Sequence, residues 1–235
     1  MGVRLADIIY PRRCPACHDA VDRPGRLICS TCEGRFSVVE EPTCMRCGKE
    51  ISDREREYCS DCEKYPKPFS RCFALFNYDD TARGSLLRFK NGGRREYAEY
   101  YVQRFMEVRG GQLRSVRADV IVPVPVYSSR RYERGYNQAA EIGRHLSAAL
   151  SVPMREDLLT KVKPSEQQKG LSAGGRARDI ASSLQAAQET AGYRCILLVD
   201  DIYTTGSTLS ACARVLAKAG AGEVWCAVIA IGSEK

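Results

Sequence analysis

CILLVDDIYTTGST, Cys195 to Thr208, carries the chain from a strand through a polar turn into a helix. Its opening residues form the short apolar run of a strand buried on both faces, and the run ends in two carboxylates, Asp200 and Asp201. IYTTGST then reads as a polar turn, and Leu209, Cys212, Ala213 and Leu216 recur behind it at helical spacing. Gly220 and Gly222 close that helix, and EVWCAVIAIG, Glu223 to Gly232, supplies another buried strand. Strand, loop, helix, strand is the parallel α/β unit, whose ligands sit beyond the carboxyl ends of the strands.

The loop's composition suggests a ligand. Thr204, Thr205, Gly206, Ser207 and Thr208 at a helix N-terminus offer unpaired backbone N–H groups, hydroxyls and the positive end of the helix dipole, a cradle for a monophosphate. The Walker lysine is missing, which disfavours a nucleoside triphosphate. Two adjacent carboxylates accept hydrogen bonds from vicinal sugar hydroxyls or bind an Mg²⁺-associated shell. A ribose 5-phosphate moiety satisfies both halves; the alternative is an ordinary strand and helix cap in which Asp-Asp only helps the turn.

Upstream, ADVIVPVPV, Ala118 to Val126, suits a buried strand leading into a basic loop, SSRRYERG. NQAAEIGRHLSAAL, Asn137 to Leu150, is helix-favouring, with Ala139, Ile142, Leu146 and Leu150 on one stripe. A polar, glycine-containing stretch, Lys161 to Arg178, reads as mobile. The net charge of +7 is unevenly placed: residues 1 to 70 carry 12 Lys and Arg against 12 Asp and Glu, whereas Arg83 to Arg134 holds 12 basic and 5 acidic residues. That surplus equals the whole net charge. It is either a solvated basic face or a site for phosphates, of a small ligand or of nucleic acid.

The N-terminus is a cysteine repeat. Cys14, Cys17, Cys29 and Cys32 form C-x2-C-x11-C-x2-C, and Cys44, Cys47, Cys59 and Cys62 repeat it 30 residues later. Two such pairs complete a tetrahedral thiolate shell, so two Zn²⁺ ions are expected, supplying folding energy to units too small to fold on apolar burial. CPACH, Cys14 to His18, also fits c-type haem attachment or a dithiol redox pair. The second copy reads CMRCG, with Gly48 where haem attachment requires histidine, and the redox reading lacks a surrounding βαβ context. His18 is then exposed beside the metal site or a donor behind its ligands. Cys72, Cys195, Cys212 and Cys226 lack metal spacing, and three of them lie in apolar segments as small core residues.

KYPKPFS, Lys64 to Ser70, punctuates the end of the repeat, giving a double zinc-ribbon domain over 1–68 and an α/β ligand domain over 69–235. The start of the chain lacks the features of a secretory signal, and no stretch approaches the roughly 18 apolar residues of a membrane span. A cytoplasmic protein is expected, where twelve cysteines argue for metal or catalysis rather than disulfides.

VDDIYTTGST, Val199 to Thr208, resembles the phosphoribosyl pyrophosphate (PRPP) loop of type I phosphoribosyltransferases. IVPVPVYSSRRYERGYNQA, Ile121 to Ala139, resembles the strand and arginine-rich segment of the ComF family, the phosphoribosyltransferase-like proteins that include ComFC and GntX. FKNGGRREYA, Phe89 to Ala98, resembles that family's Lys-containing segment, and the cysteine repeat its zinc-ribbon region. The resemblance covers nearly the whole chain. It implies a type I phosphoribosyltransferase-like parallel sheet with helices on both faces, preceded by a small four-cysteine zinc-ribbon domain. It further implies that Asp200 and Asp201 hold ribose hydroxyls, that Thr204 to Thr208 hold the 5-phosphate, and that Mg²⁺ accompanies pyrophosphate. Arg130 and Arg131, with Lys90, are the pyrophosphate candidates. A transferase of this kind works by positioning and electrostatics; no catalytic residue is assigned. Two departures stand out: Thr204 occupies a place where hypoxanthine-type transferases carry an acid, and after Gln168 to Leu171, matching the family's Q-x-G-L element, Arg178 is followed by Asp179 where the family has Asn.

Three functions compete. One is a ComF-type protein that binds PRPP or a related phosphoribosyl ligand, catalytic or not, and serves DNA uptake in natural transformation, a pathway implied wholly by the resemblance. Another is a non-enzymatic single-stranded nucleic-acid adaptor using Arg94 and Arg95, with Phe89, Tyr97, Tyr100, Tyr101, Tyr132 and Tyr136 as stacking platforms or as core residues. The third is a PRPP-sensing regulator whose zinc unit contacts a partner.

Overall fold

The computed structural model describes residues 11–127, 132, 135–162 and 180–233. In chain order the elements are α1 (Ser60–Lys64), β1 (Cys72–Asn77), α2 (Asp80–Asn91), α3 (Tyr97–Ser115), β2 (Val120–Pro123) and α4 (Gln138–Leu150). They continue with β3 (Leu159–Lys161), β4 (Leu184–Ala186), β5 (Cys195–Tyr203), α5 (Ser207–Lys218) and β6 (Glu223–Ile231). The central sheet has the order β1-β6-β5-β2 with every pairing parallel. A separate antiparallel pair, β3 with β4, stands at either end of residues 163–179.

Alternation along the strands sorts side chains onto two buried faces. Ile196 and Leu198 of β5 join Cys226 and Val228 of β6 in one cluster, with Leu209, Cys212, Ala213 and Leu216 of α5. Leu197 and Val199 join Ala227 and Ile229 in the other, with residues of α2, α3 and α4 such as Leu86, Phe105 and Ile142. Helices therefore cover both faces, as expected. Leu209 and Leu216 are fully buried, each contributing about 2–3 kcal/mol of apolar burial. Ala139, Ile142 and Leu146 of the expected α4 stripe are likewise buried, with Leu150 partly so. Asn137 starts this helix: its side chain accepts from Ala139 N at 3.1 Å and donates to Val124 O at 3.1 Å, tying the end of β2 to α4.

The cysteine repeat is repeated in three dimensions. Backbone bonds from Cys14 N to Asp19 O, His18 N to Cys14 O and Val21 N to Arg12 O recur as Cys44 N to Lys49 O, Gly48 N to Cys44 O and Ile51 N to Pro42 O. The ion pairs Arg26–Glu33 and Arg56–Glu63 recur with the same offset. The two copies straddle the sheet edge at β1: Cys14, Cys29 and Cys32 pack on the α2–α3 side, and Cys44, Cys47, Cys59 and Cys62 on the α5 side. The segment between them pairs with β1 itself, Val39 N to Leu75 O at 2.9 Å and Asn77 N to Ser37 O at 2.8 Å. An edge strand that would otherwise present open backbone groups is thus covered. Arg109 of α3, only 8% exposed, locks the arrangement by donating to Val39 O at 2.7 Å and pairing with Glu41 at 2.6 Å.

Two sequence expectations change. The strand at 195 extends through Ile202 and Tyr203, which register with Ala230 and Ile231, so the turn is shorter than IYTTGST suggests. Lys161, expected at the start of a mobile stretch, lies in β3. The sequence reading named neither β1 nor the helices α2 and α3 that separate it from β2.

Candidate functional site

Each cysteine quartet forms a compact sulfur cage whose four ligand atoms lie within 4.8 Å of one another. Cys14 and Cys29 sulfurs are 3.5 Å apart, Cys17 and Cys29 3.7 Å, and Cys47 and Cys59 3.6 Å. Tetrahedral Zn–S bonds of ~2.3 Å require sulfur separations of about 3.8 Å, so both cages fit zinc, each within one copy of the repeat. The residue after the second cysteine explains the His18 anomaly. His18 has φ 72° and Gly48 φ 77°, so both copies need a left-handed residue there. At Gly48 a Cβ would stand 2.4 Å from Cys72 O, leaving no room for a side chain. At His18 the side chain has room, and its Nδ1 shares a 2.7 Å hydrogen bond with the Tyr97 hydroxyl; the ring is half-buried against the helices rather than on the metal.

Toward the carboxyl end of β5, Asp200 and Asp201 sit side by side. Asp201 is 5% exposed and its Oδ2 lies 2.7 Å from Lys90 Nζ. Asp201 N donates to Asp200 Oδ1 at 2.9 Å. Burial, and then the charge of Asp201, push the Asp200 carboxyl up to about 8, with Lys90 pulling the other way. Lys90 is brought here by the end of α2, which is anchored to the start of α4. Tyr136 donates its hydroxyl to Phe89 O, and Gln138 Nε2 reaches Lys90 O at 3.4 Å.

Beyond Asp201 the chain turns through exposed Thr204 and Thr205 and buried Gly206 into α5. Thr205 Oγ1 and Ser207 Oγ are 2.9 Å apart, and Ser210 N makes the first helical bond, to Gly206 O at 2.8 Å. Ser207, Thr208 and Leu209 thus form the first turn of α5, at the positive end of its dipole. Gly206 has φ 73°, and a Cβ there would lie 2.2 Å from the Tyr203 hydroxyl. Tyr203 is 1% exposed and its hydroxyl finds no hydrogen-bond partner among the described residues. Burial drives its phenol well above the ordinary range, and the nearby sulfurs of Cys47, Cys72 and Cys62 add to the shift.

The structure thus unites Lys90, Asp200, Asp201 and residues 204–208 around one strand–turn–helix. Arg130 and Arg131 lie outside the described residues, as do Gln168 to Leu171, Arg178 and Asp179. Arg95 stacks 4.6 Å over the Tyr136 ring and donates to Gly135 O, while Arg94 faces Glu96 at 3.8 Å. Of the six interleaved aromatics, Phe89, Tyr97, Tyr101 and Tyr136 are buried, Tyr100 packs against Phe36, and Tyr132 is 92% exposed. Part of the basic surplus is structural: Arg109 holds the inter-ribbon segment, and Arg88 donates to Ala16 O at 2.8 Å. Cys72, Cys212 and Cys226 are fully buried and Cys195 partly so. Sequence reasoning missed Tyr203 because it was counted as part of the turn. Its aromatic character between an apolar strand and a glycine was the available signal.

Among the described residues no helix is long and apolar enough to cross a membrane. The family model described as double zinc ribbon domain matches residues 5–63, and the one described as phosphoribosyl transferase domain matches residues 136–235. The chain is similar to competence protein F of Haemophilus influenzae, with 30% identity over 224 residues covering 90% of this chain and 93% of the relative. It is also similar to the DNA utilization protein YhgH of Escherichia coli (strain K12), 28% identical over 208 residues covering 85% and 88%. Among solved structures, the glutamine PRPP amidotransferase from B. subtilis complexed with ADP and GMP aligns over 59% of this chain and 26% of its own, with 21% identity and a TM-score of 0.38.

Proposed function

The chain belongs to the competence protein F family, and on that premise we propose that it binds PRPP or a related phosphoribosyl ligand at the carboxyl end of β5 in the service of DNA uptake. One observation carries the reading: a buried carboxylate held by a lysine and an open helix N-terminus on a left-handed glycine lie within one strand–turn–helix. Asp200 and Asp201 take the ribose hydroxyls, and Thr204, Thr205, Gly206, Ser207 and Thr208 take the 5-phosphate through hydroxyl and backbone N–H donors. Lys90 lies beside the ribose carboxylates, where it meets the pyrophosphate of PRPP together with Arg130 and Arg131. Mg²⁺ supplies charge neutralisation to that pyrophosphate when PRPP is bound. The division into residues 1–68 and 69–235, and a cytoplasmic location, belong to the same reading.

The test is to titrate the protein with PRPP and Mg²⁺, then to add a panel of nucleobases and follow pyrophosphate. PRPP binding with no pyrophosphate release makes the protein a binder or sensor; release with one base makes it a transferase; no PRPP binding rejects the reading.

Exposed Tyr132 beside the arginine-rich loop, with Arg94 and Arg95 on the same stretch of basic chain, favours a second reading, single-stranded DNA binding. Its affinity falls steeply with salt and on joint replacement of Arg94 and Arg95; binding indifferent to both rejects it.

A further inference from the structure

Gly206, the N-cap of α5, is left-handed, makes no side-chain cap hydrogen bond and packs closely on one neighbour. That neighbour is the Tyr203 ring, so close that any Cβ at 206 would overlap the hydroxyl. Tyr203 in turn belongs to the same buried cluster as Cys44, Cys47, Cys59 and Cys62, the second cage, whereas the first cage packs on the opposite face of the sheet. We propose that Tyr203 is a positioning residue for the phosphate loop, and that the metal-bound second ribbon is the support against which it is held. The proposal deepens the phosphate-loop reading and rests on it.

The physical chain is short. Metal binding fixes four cysteines of a unit with little apolar core of its own. The ordered unit shares a buried cluster with Tyr203, close enough for Cys47, Cys62 and Asp61 to act on its phenol, and Tyr203 in turn packs under the start of α5. The ring acts by shape: its hydroxyl is unpartnered, so removing the oxygen is tolerated and removing the ring is not. By linkage, phosphate binding at the loop and zinc retention in the second ribbon favour each other by the same factor. The first ribbon lacks this coupling.

Two measurements on the full zinc-loaded chain test the proposal. In the first, zinc release to a chromophoric chelator is followed in Cys32→Ser, whose remaining cage is the second one. Saturating ribose 5-phosphate should slow release on the order of fivefold or more, equally with Tyr203→Phe added and not with Tyr203→Leu. In the second, amide exchange without ligand should accelerate at residues 205–209 far more in Cys62→Ser than in Cys32→Ser. Equal acceleration in the two cage variants, or zinc release indifferent to a ribose 5-phosphate that binds, overturns the coupling. If the unmodified chain binds no ribose 5-phosphate, the phosphate-loop reading fails, and amide exchange still decides the coupling. Should Cys62→Ser not fold, Tyr203→Leu with both metals retained replaces it: faster exchange at 205–209 supports the proposal, unchanged exchange overturns it.

Discussion

Replacing Asp200 with Asn removes a carboxyl that folding makes difficult to ionise. In the folded chain its carboxyl is pushed up to about 8, against an ordinary value of 3.8, because it is partly buried beside the Asp201 charge. That displacement corresponds to about 6 kcal/mol between protonation states, of which a variant at Asp200, discounted for relaxation around two closely coupled carboxylates, recovers roughly 2–4 kcal/mol. The sign follows from proton counts. Between about pH 4 and 8 the unfolded chain has released this proton while the folded chain keeps it, so stability falls as pH rises through that window and is level above it. Asp200→Asn lacks this loss. Urea unfolding of both proteins from pH 5 to 9 should show the variant gaining roughly 2–4 kcal/mol relative to the parent by pH 8.5; taking the difference cancels the cysteine titrations common to both. Carboxyl ¹³C shifts provide a direct check. Parallel stability curves, or an Asp200 midpoint below about 5, would refute the reasoning.

Gly206→Ala forces a methyl into the Tyr203 hydroxyl at a left-handed residue, at a cost of about 1–3 kcal/mol, and should weaken ribose 5-phosphate binding more than tenfold by calorimetry. His18→Gly gives the first ribbon the residue the second already has; relief of the left-handed strain offsets the lost Tyr97 bond, so zinc content is kept and thermal stability moves by under about 1 kcal/mol. Arg109→Met strands Val39 O and removes the ion pair with half-exposed Glu41, and should cost about 2–3 kcal/mol in denaturant unfolding. Lys90→Met should weaken PRPP more than ribose 5-phosphate in parallel titrations, since it removes the cation but leaves the 5-phosphate turn.

The elements legible in advance were those specified by neighbours in sequence. Short apolar runs announced β2, β5 and β6, an apolar stripe announced α4, and the 30-residue cysteine spacing announced two metal cages. His18 was recognised as incidental to the metal because Gly48 stood in its place, and the shared positive φ supplies the reason. The turn was misjudged by two residues because Ile202 and Tyr203 are strand residues only by virtue of β6 alongside. Of the six aromatics offered as stacking platforms, four are buried, since charge spacing along a chain does not say which side of a helix meets the sheet.

The α/β unit, the polar turn of Thr204 to Thr208 and the two cysteine quartets were legible in the chain itself, because periodicity and metal spacing act over a few residues or repeat visibly. Only packing brings Lys90 to Asp201, sets the ribbons on opposite sides of β1, and places Tyr203 under Gly206 in the buried cluster that also holds the second cysteine quartet. Those contacts join residues far apart in the chain, and packing, which depends on the whole sequence at once, is what brings them together.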